Sequence, residues 1–464
     1  MNKRIALYGG AFNAPTLAHR EAIKTLIPYF DEIIVIPSGS RPDKPGLDDV
    51  DPIDRAIMAD MTFRGLPKTT VELFDLENNT FTRNHALQEM FGDRGELWHV
   101  IGTDHTHPNP TYEGKSFIEY RWEQGERLWK ELNFAVLTRK DYPLATHHLP
   151  AHHHLFYFAR SESSSAVRER VFKRESISGL VMPEVEAHIE RYNLYRGNKR
   201  SHTAVFSLDQ PRLLIAADPR NSEALALKEH LRDLEDEEHP NLIVSIGGDG
   251  TMFRTVRAHW RKRLPFLGIN RGHLGYLLND MKEGMSAREF FTKKLEIIFA
   301  PLLHVEMQSI DGTRRSEVAF NDAYVLVERG KTGWFEIVVD NEVRTARLEA
   351  DGVLVATPAG STAYARSMGA TPITLGAEEL MVIGSNVAKP DIWRNGANVT
   401  DDSVIRIRTL DESHWRGIAG FADNVSFGDV TEMIVRKSRI AAVELAFVSG
   451  HEKRRRSLFN PFPV

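Results

Sequence analysis

Cysteine is absent from this 464-residue chain. That absence excludes a disulfide framework, a thiolate nucleophile and any cysteine-ligated metal, and it makes the cytoplasm the expected compartment. Long apolar runs are also missing. Nothing approaches the roughly 18–20 consecutive apolar residues that a membrane-crossing helix requires, and the opening Met1-Asn2-Lys3-Arg4 leads into a strand pattern instead of a signal peptide. A charge surplus is lacking too: 59 Lys and Arg stand against 64 Asp and Glu, a formal net charge of -5. Without basic excess, neither a nucleic acid nor a membrane surface is an expected partner.

What is present suffices for more than one core. A hydrophobic share of 42% with 27% charged residues is that of an ordinary globular protein, and the length exceeds the size at which one core stops growing. A strand pattern at 5–8 enters the glycine pair of "GGAFNAPTLAH", and a helix follows at 17–30. Then come a strand at 32–37, a polar loop, a helix at 52–63, and buried strands at 96–101 and 134–138. The spacing predicts a closing helix over 182–191. Such alternation predicts a parallel sheet covered by helices, with ligand-facing groups after the strand C-termini.

The polar stretch 196–211 ends at a proline and reads as a linker. The expected organisation is a first domain over 1–200, a linker over 201–211, a small α/β domain over 212–295 and a β-rich domain over 296–464 whose C-terminus returns. In the α/β part, strands at 212–217 and 241–246 flank a helix at 222–234, and the second strand feeds "SIGGDGT". From about residue 297, alternating runs such as "WFEIVVDNEV" indicate antiparallel strands. The acidic "DLEDEEH" and the basic tail "EKRRRS" read as solvated surface, and the five histidines of 147–154 suit an exposed loop or, alternatively, a metal.

Two stretches carry chemistry. In the first, Gly9 and Gly10 permit a tight turn beneath an anion at a helix N-terminus. His19, three residues after Thr16, shares its helix face and can donate to a phosphate. "SSSAVRERV" places hydroxyls before a second helix, with Arg168 one turn inside it. In the second stretch, Asp249 stands among glycines at a strand's mouth, where it either caps a helix or faces a ligand. Downstream lies "ADGVLVATPAGSTAYARS".

The first half resembles the nicotinamide or nicotinate mononucleotide adenylyltransferases of the nucleotidyltransferase superfamily. The opening reads Gly9, Gly10, Phe12, Asn13, Thr16, His19, and the late motif Ser163, Ser164, Ser165, Arg168. The resemblance implies a Rossmann-like domain in which Thr16 and His19 contact the ATP phosphates and Ser164, Ser165 and Arg168 hold the triphosphate. It also implies that Gly102 and Asp104 contact nucleotide, that Lys44 matches a family lysine, and that Trp122 stacks on the pyridine ring. Departures are a proline shifted to Pro15, Ala18 for a glycine and Ser165 for a threonine.

The second half is similar to the NAD kinases. Four motifs occur in the family's order: Gly247-Gly248-Asp249-Gly250-Thr251, "NRGHLGYL", Asn321-Asp322 and "TPAGSTAY". The resemblance implies an α/β domain followed by a β-rich one, with Asp249 as the base for the ribose 2'-hydroxyl. Gly250, Arg254, Asn321, Asp322, Asp351, Thr362, Ala363, Tyr364 and Ser367 would contact NAD. "SMGATP" departs from the family's pattern by an apparent extra residue, and Asp423-Asn424 replaces an Asp-Gly pair.

Together these imply an α/β enzyme that makes a dinucleotide from ATP and a mononucleotide and then phosphorylates NAD to NADP. Mg²⁺ is the implied cofactor, with no protein metal site, and a homo-oligomer built through the second half is implied. Two other readings stand open: an active kinase with a nucleotide-sensing first half, or two binding units without catalysis.

Overall fold

The computed structural model describes residues 3–40, 50–138, 144–158, 160, 162–197, 200–201, 203–208, 210–272, 275–281, 284–328, 332–410, 417–451 and 455. They fall into two compact units, Met1–Arg200 and Ser201–Val464. No helix among the described residues is long and apolar enough to cross a membrane.

In the first unit six strands form one sheet: β1 (Arg4–Gly10), β2 (Glu32–Pro37), β3 (Thr69–Val71), β4 (Glu96–Gly102), β5 (Asn133–Leu137) and β6 (His152–Phe156). Their order is β3-β2-β1-β4-β5-β6, and every pairing is parallel. This is the doubly wound Rossmann-type order, whose ligand crevice opens between the carboxyl ends of β1 and β4, where the connections diverge. All six residues of β2 are buried, as expected for a strand covered on both faces. The helix Pro52–Phe63 begins with proline at its first position, where the missing N–H costs nothing.

Two strands lie outside the sequence pattern. β3 has only three residues, too few for a period. β6 corrects the loop reading of the histidine tract, because His152, His153 and His154 pair in register with Asn133, Phe134 and Ala135. An edge strand buries only alternate side chains weakly, so histidines are tolerated there. His148 instead donates from Nε2 to Glu119 Oε2 at 2.6 Å and stacks on Trp129. No group of three or more His, Asp or Glu poised for a metal occurs among the described residues.

The second unit starts with β7 (Thr203–Phe206), β8 (Leu213–Ala217), β9 (Leu242–Gly247) and β10 (Phe266–Asn270). β7 falls inside the stretch read as a linker. It pairs antiparallel with β11 (Leu295–Ser309), with Ala204 and Phe206 partly buried and Thr203 and Val205 exposed. β8, β9 and β10 run parallel. The β-rich part comprises β12 (Arg314–Ala319), β13 (Asp322–Val327), β14 (Gly333–Val339), β15 (Glu342–Ala350), β16 (Gly352–Ala356), β17 (Glu379–Ser385), β18 (Ala397–Thr400), β19 (Ile405–Thr409), β20 (Ile418–Ala422) and β21 (Val425–Val448).

Asp340-Asn341 and Asp423-Asn424 both have positive φ, the two-residue hairpin geometry that matches strand twist. β21 spans 24 residues. Its first part pairs with β19 and β20, and its last part lies parallel to β10, so this strand carries the chain back into the α/β sheet. Met252 and Val256, on the helix Asp249–His259, share one core with Phe320 and Ala359 of the β-rich part. That packing sets the junction at which the second cleft lies.

Candidate functional site

In the first unit the loop after β1 is fixed from several sides. Thr16 N–H donates to His19 Nδ1 at 3.0 Å, and Thr16 Oγ1 is 2.8 Å from the same nitrogen. A backbone N–H can only donate, so Nδ1 accepts and the neutral imidazole carries its proton on Nε2, as a donor. The late motif meets this loop across 150 residues of sequence. Ser164 Oγ donates to Ala14 O at 2.7 Å, Arg168 Nη1 donates to Asn13 O, and Arg168 Nη2 reaches Ser165 Oγ at 3.3 Å. Ser163 caps the helix Ser164–Phe172 by accepting from Ala166 N–H.

Gly9 has open space above it, since a Cβ there would meet nothing within 4 Å. One of the helix amides is already engaged: Leu17 N–H donates to Leu180 O at 2.8 Å. Phe12 is placed differently from the sequence expectation. Its ring is 2% exposed and packs edge-on against Tyr8, His19 and Phe63, so it shapes the loop from the core instead of facing a nucleotide. Gly102 ends β4 and Asp104 lies in the turn after it, at the crevice. Trp122, half-buried, lies against Phe134 of β5. Lys44 lies outside the described residues.

Sequence reasoning missed Arg55. This buried residue donates through Nη2 to both Ala11 O and Ser38 O, each at 2.5 Å, and so ties the glycine loop to the end of β2. An arginine on a buried helix face carries no motif, and only the loop carbonyls it satisfies reveal its purpose. Asp54, fully buried beside it, accepts from His188 Nε2 and Arg200 Nε at 2.8 Å each. Despite burial, the Arg200 charge and the His188 bond hold its carboxyl below the usual range.

The second cleft is built around Asp249. Its Oδ2 accepts Tyr276 N–H at 2.8 Å and its Oδ1 accepts Leu277 N–H at 2.9 Å. Burial raises the carboxyl to about 6, the Leu277 bond and the Arg455 charge opposing that rise. The carboxylate therefore does not cap its own helix; it bridges to the segment after β10. Gly247 is required where it is, with φ at 153°, because a Cβ would lie 2.7 Å from Thr251 Oγ1. Arg254 is exposed and reaches Thr251 Oγ1 at 3.1 Å. Asp218, at the end of β8, accepts from Thr251 Oγ1 at 3.3 Å and was not legible as part of this loop.

Asn321 and Asp322 sit on the far side of the junction. Asp423, in the β20–β21 turn, accepts the N–H groups of Phe320, Asn321 and Asp322 at 2.6, 2.9 and 3.3 Å. Burial, and then the neighbouring Asp423 charge, push Asp322 up to about 7. Asn321 Oδ1 is buried and has no hydrogen-bond partner among the described residues. Arg257, on the Asp249 helix, donates to Asp423 O at 3.2 Å, which links the two sides.

Thr362, Ala363, Tyr364 and Ser367 follow β16 on a tight helical turn. Tyr364 is edge-on to Tyr324. A Cβ at Gly360 would overlap the Asn321 carbonyl oxygen, and neither backbone can yield. Gly360→Ala is therefore expected to destabilise the second unit by about 1–3 kcal/mol, measured as a lowered thermal midpoint; an unchanged midpoint would contradict the close approach. Asp351 is not brought to this cleft. It precedes β16, whereas Asn321-Asp322 pair at the opposite end of that strand, roughly 20 Å away at ~3.4 Å per residue. Its carboxylate accepts instead from Asn386 Nδ2 at 2.7 Å.

Of the basic tail only Arg455 is among the described residues, and it is 1% exposed, against its solvated reading; His451, ahead of the tail, stacks on Phe447 with ring centroids 3.8 Å apart.

With this geometry in place, similarity to known proteins agrees in both units. Residues 7–170 match the family model described as cytidylyltransferase-like, and residues 195–289 match that of the ATP-NAD kinase N-terminal domain. The chain is 30% identical over 261 residues to an NAD kinase of Rhizorhabdus wittichii, covering 55% of this chain and 100% of that protein. It is 28% identical over 256 residues to an NAD kinase of Xanthomonas oryzae pv. oryzae, covering 55% and 98%. Among solved structures, an NAD kinase from Archaeoglobus fulgidus in complex with ATP shares 24% identity at a TM-score of 0.40, over 53% of this chain and 96% of that one. The chain thus belongs to the NAD kinase family through its second unit and carries a cytidylyltransferase-like domain ahead of it.

Proposed function

We propose that the chain catalyses two reactions in series: adenylyl transfer from ATP to a pyridine mononucleotide in the first unit, and 2'-phosphorylation of the resulting NAD in the second. The observation that carries the first is the union of the Gly9–His19 loop with Ser164 and Arg168. In that cleft an oxygen of the mononucleotide phosphate attacks the α-phosphorus of ATP and pyrophosphate leaves. No protein nucleophile or base is needed, and the work is positioning and charge stabilisation. His19, donating from Nε2, and Arg168 supply the positive field, with Ser164 and Ser165 orienting the triphosphate.

In the second unit, the Asp249 carboxylate takes the proton of the ribose 2'-hydroxyl as that oxygen attacks the γ-phosphorus of ATP, and ADP leaves. Its elevated affinity for protons suits a base working near neutrality. Asn321, with its unpartnered buried oxygen, and the run Thr362–Ser367 bind the dinucleotide. Mg²⁺ enters with ATP as part of the substrate, and self-association through the second unit belongs to the same reading. Nicotinamide mononucleotide is the preferred acceptor, because its product is NAD, ready for the kinase, whereas the nicotinate form needs an amidation between the two steps.

The kinase rate is expected to fall as pH drops through about 6, where Asp249 becomes protonated. The check is the pH dependence of kcat/KM for NADP formation. An acid limb near pH 4 would mean that a different group acts as the base.

A further inference from the structure

We propose that Arg455, near the C-terminus, is a positioning residue of the kinase cleft, which holds the segment bearing Thr362 to Ser367 in place and supplies a positive charge to the Asp249 carboxylate. The inference rests on the kinase reading of the second unit and goes beyond it, since no sequence motif marks this residue.

Arg455 is 1% exposed. Taking a guanidinium out of water is costly, so its place must be compensated by specific acceptors. Two are main-chain carbonyls: Nη1 donates to Ile373 O at 3.4 Å and Nη2 to Pro358 O at 3.3 Å. Those carbonyls stand at the two ends of the segment that carries Gly360 to Ser367. Ser361 closes the same ends from within, its Oγ donating to Pro358 O and accepting from Ile373 N–H, at 2.7 and 2.8 Å. The guanidinium fork thus doubles the tie made by the serine, and planar two-point donation is what arginine offers and lysine does not.

The charge of Arg455 acts on Asp249 in the direction that favours its ionised form. The other groups around Asp249 are committed elsewhere or neutral. Arg254 turns to Thr251 and Asp218, and Arg257 to the Asp423 carbonyl. Arg366 lies over the Tyr276 ring. Burial holds His451 down at about 4, so it is uncharged at working pH, and Asp322 and Asp423 across the junction add no positive field. Among the described residues, the Arg455 charge is the one that acts on the Asp249 carboxyl in this direction.

The test uses the full chain carrying Arg455→Met and Arg455→Lys, assayed for NADP formation across pH 5–9 beside thermal midpoints and adenylyl transfer as an internal control. Arg455→Met is expected to move the acid limb of the kinase profile upward and to raise KM for NAD. A limb moved by one pH unit corresponds to about a fivefold loss at pH 6 and almost none above pH 8. Arg455→Lys is expected to keep the limb while raising KM. A folded Arg455→Met protein with the parental limb and KM would overturn the proposal. Should that variant not fold, a lysine variant with parental KM overturns the positioning role. Absence of NADP formation in the parent protein would instead remove the kinase reading itself.

Discussion

Asp249→Asn is expected to lower NADP formation by about 10²- to 10⁴-fold, the usual weight of a positioned general base, while leaving dinucleotide synthesis by the first unit unchanged. The substitution removes the proton acceptor and disturbs little else in volume. It does alter one bond: the carboxylate accepts two backbone N–H groups, from Tyr276 and Leu277, and an amide offers only one acceptor atom. A thermal midpoint measured alongside separates these effects, because a structural loss appears in stability and a catalytic one in kcat. A folded Asp249→Asn protein with parental kcat would exclude the carboxylate as the base.

His19→Ala is expected to cost about 10²- to 10³-fold in adenylyl transfer, the range for removing one donor aimed at developing negative charge. Phosphorylation of supplied NAD should be untouched. The substitution also removes the acceptor of the Thr16 N–H, so a thermal midpoint measured alongside separates loss of the Nε2 donor from loosening of the loop. Pyrophosphate release is the direct readout. If it were absent in the parent as well, the first unit would act only as a nucleotide-binding module, and the histidine would matter to the kinase solely through regulation.

Much of the fold was legible because its signals were local. The helix Pro52–Phe63 is announced by its proline, β2 by an unbroken apolar run, and the antiparallel half by alternation around Asp340-Asn341. The motif sets of both halves also named residues that lie close together in the structure, such as Ser164 and Arg168 beside the Gly9–His19 loop. What escaped depended on distant packing. β6 was hidden because histidines do not advertise an edge strand, and β7 because four residues pair only with a partner some ninety positions on, Thr203 to Ile298. Phe12 had the right position but faces inward, a matter of side-chain direction that no motif encodes. Asp351 stands in a motif beside Gly352, yet strand polarity carries it to the far end of β16. Arg55, Asp218 and Arg455 act through backbone carbonyls or loop hydroxyls, which sequence spacing does not reveal.

Whether one chain both makes a pyridine dinucleotide and phosphorylates it is tested most directly by incubating the purified protein with MgATP and either nicotinamide or nicotinate mononucleotide, following pyrophosphate and all dinucleotide products over time. The account predicts NAD and then NADP from the nicotinamide substrate, with the Asp249→Asn protein stopping at NAD. No dinucleotide from either mononucleotide, while supplied NAD is still converted to NADP, would contradict it.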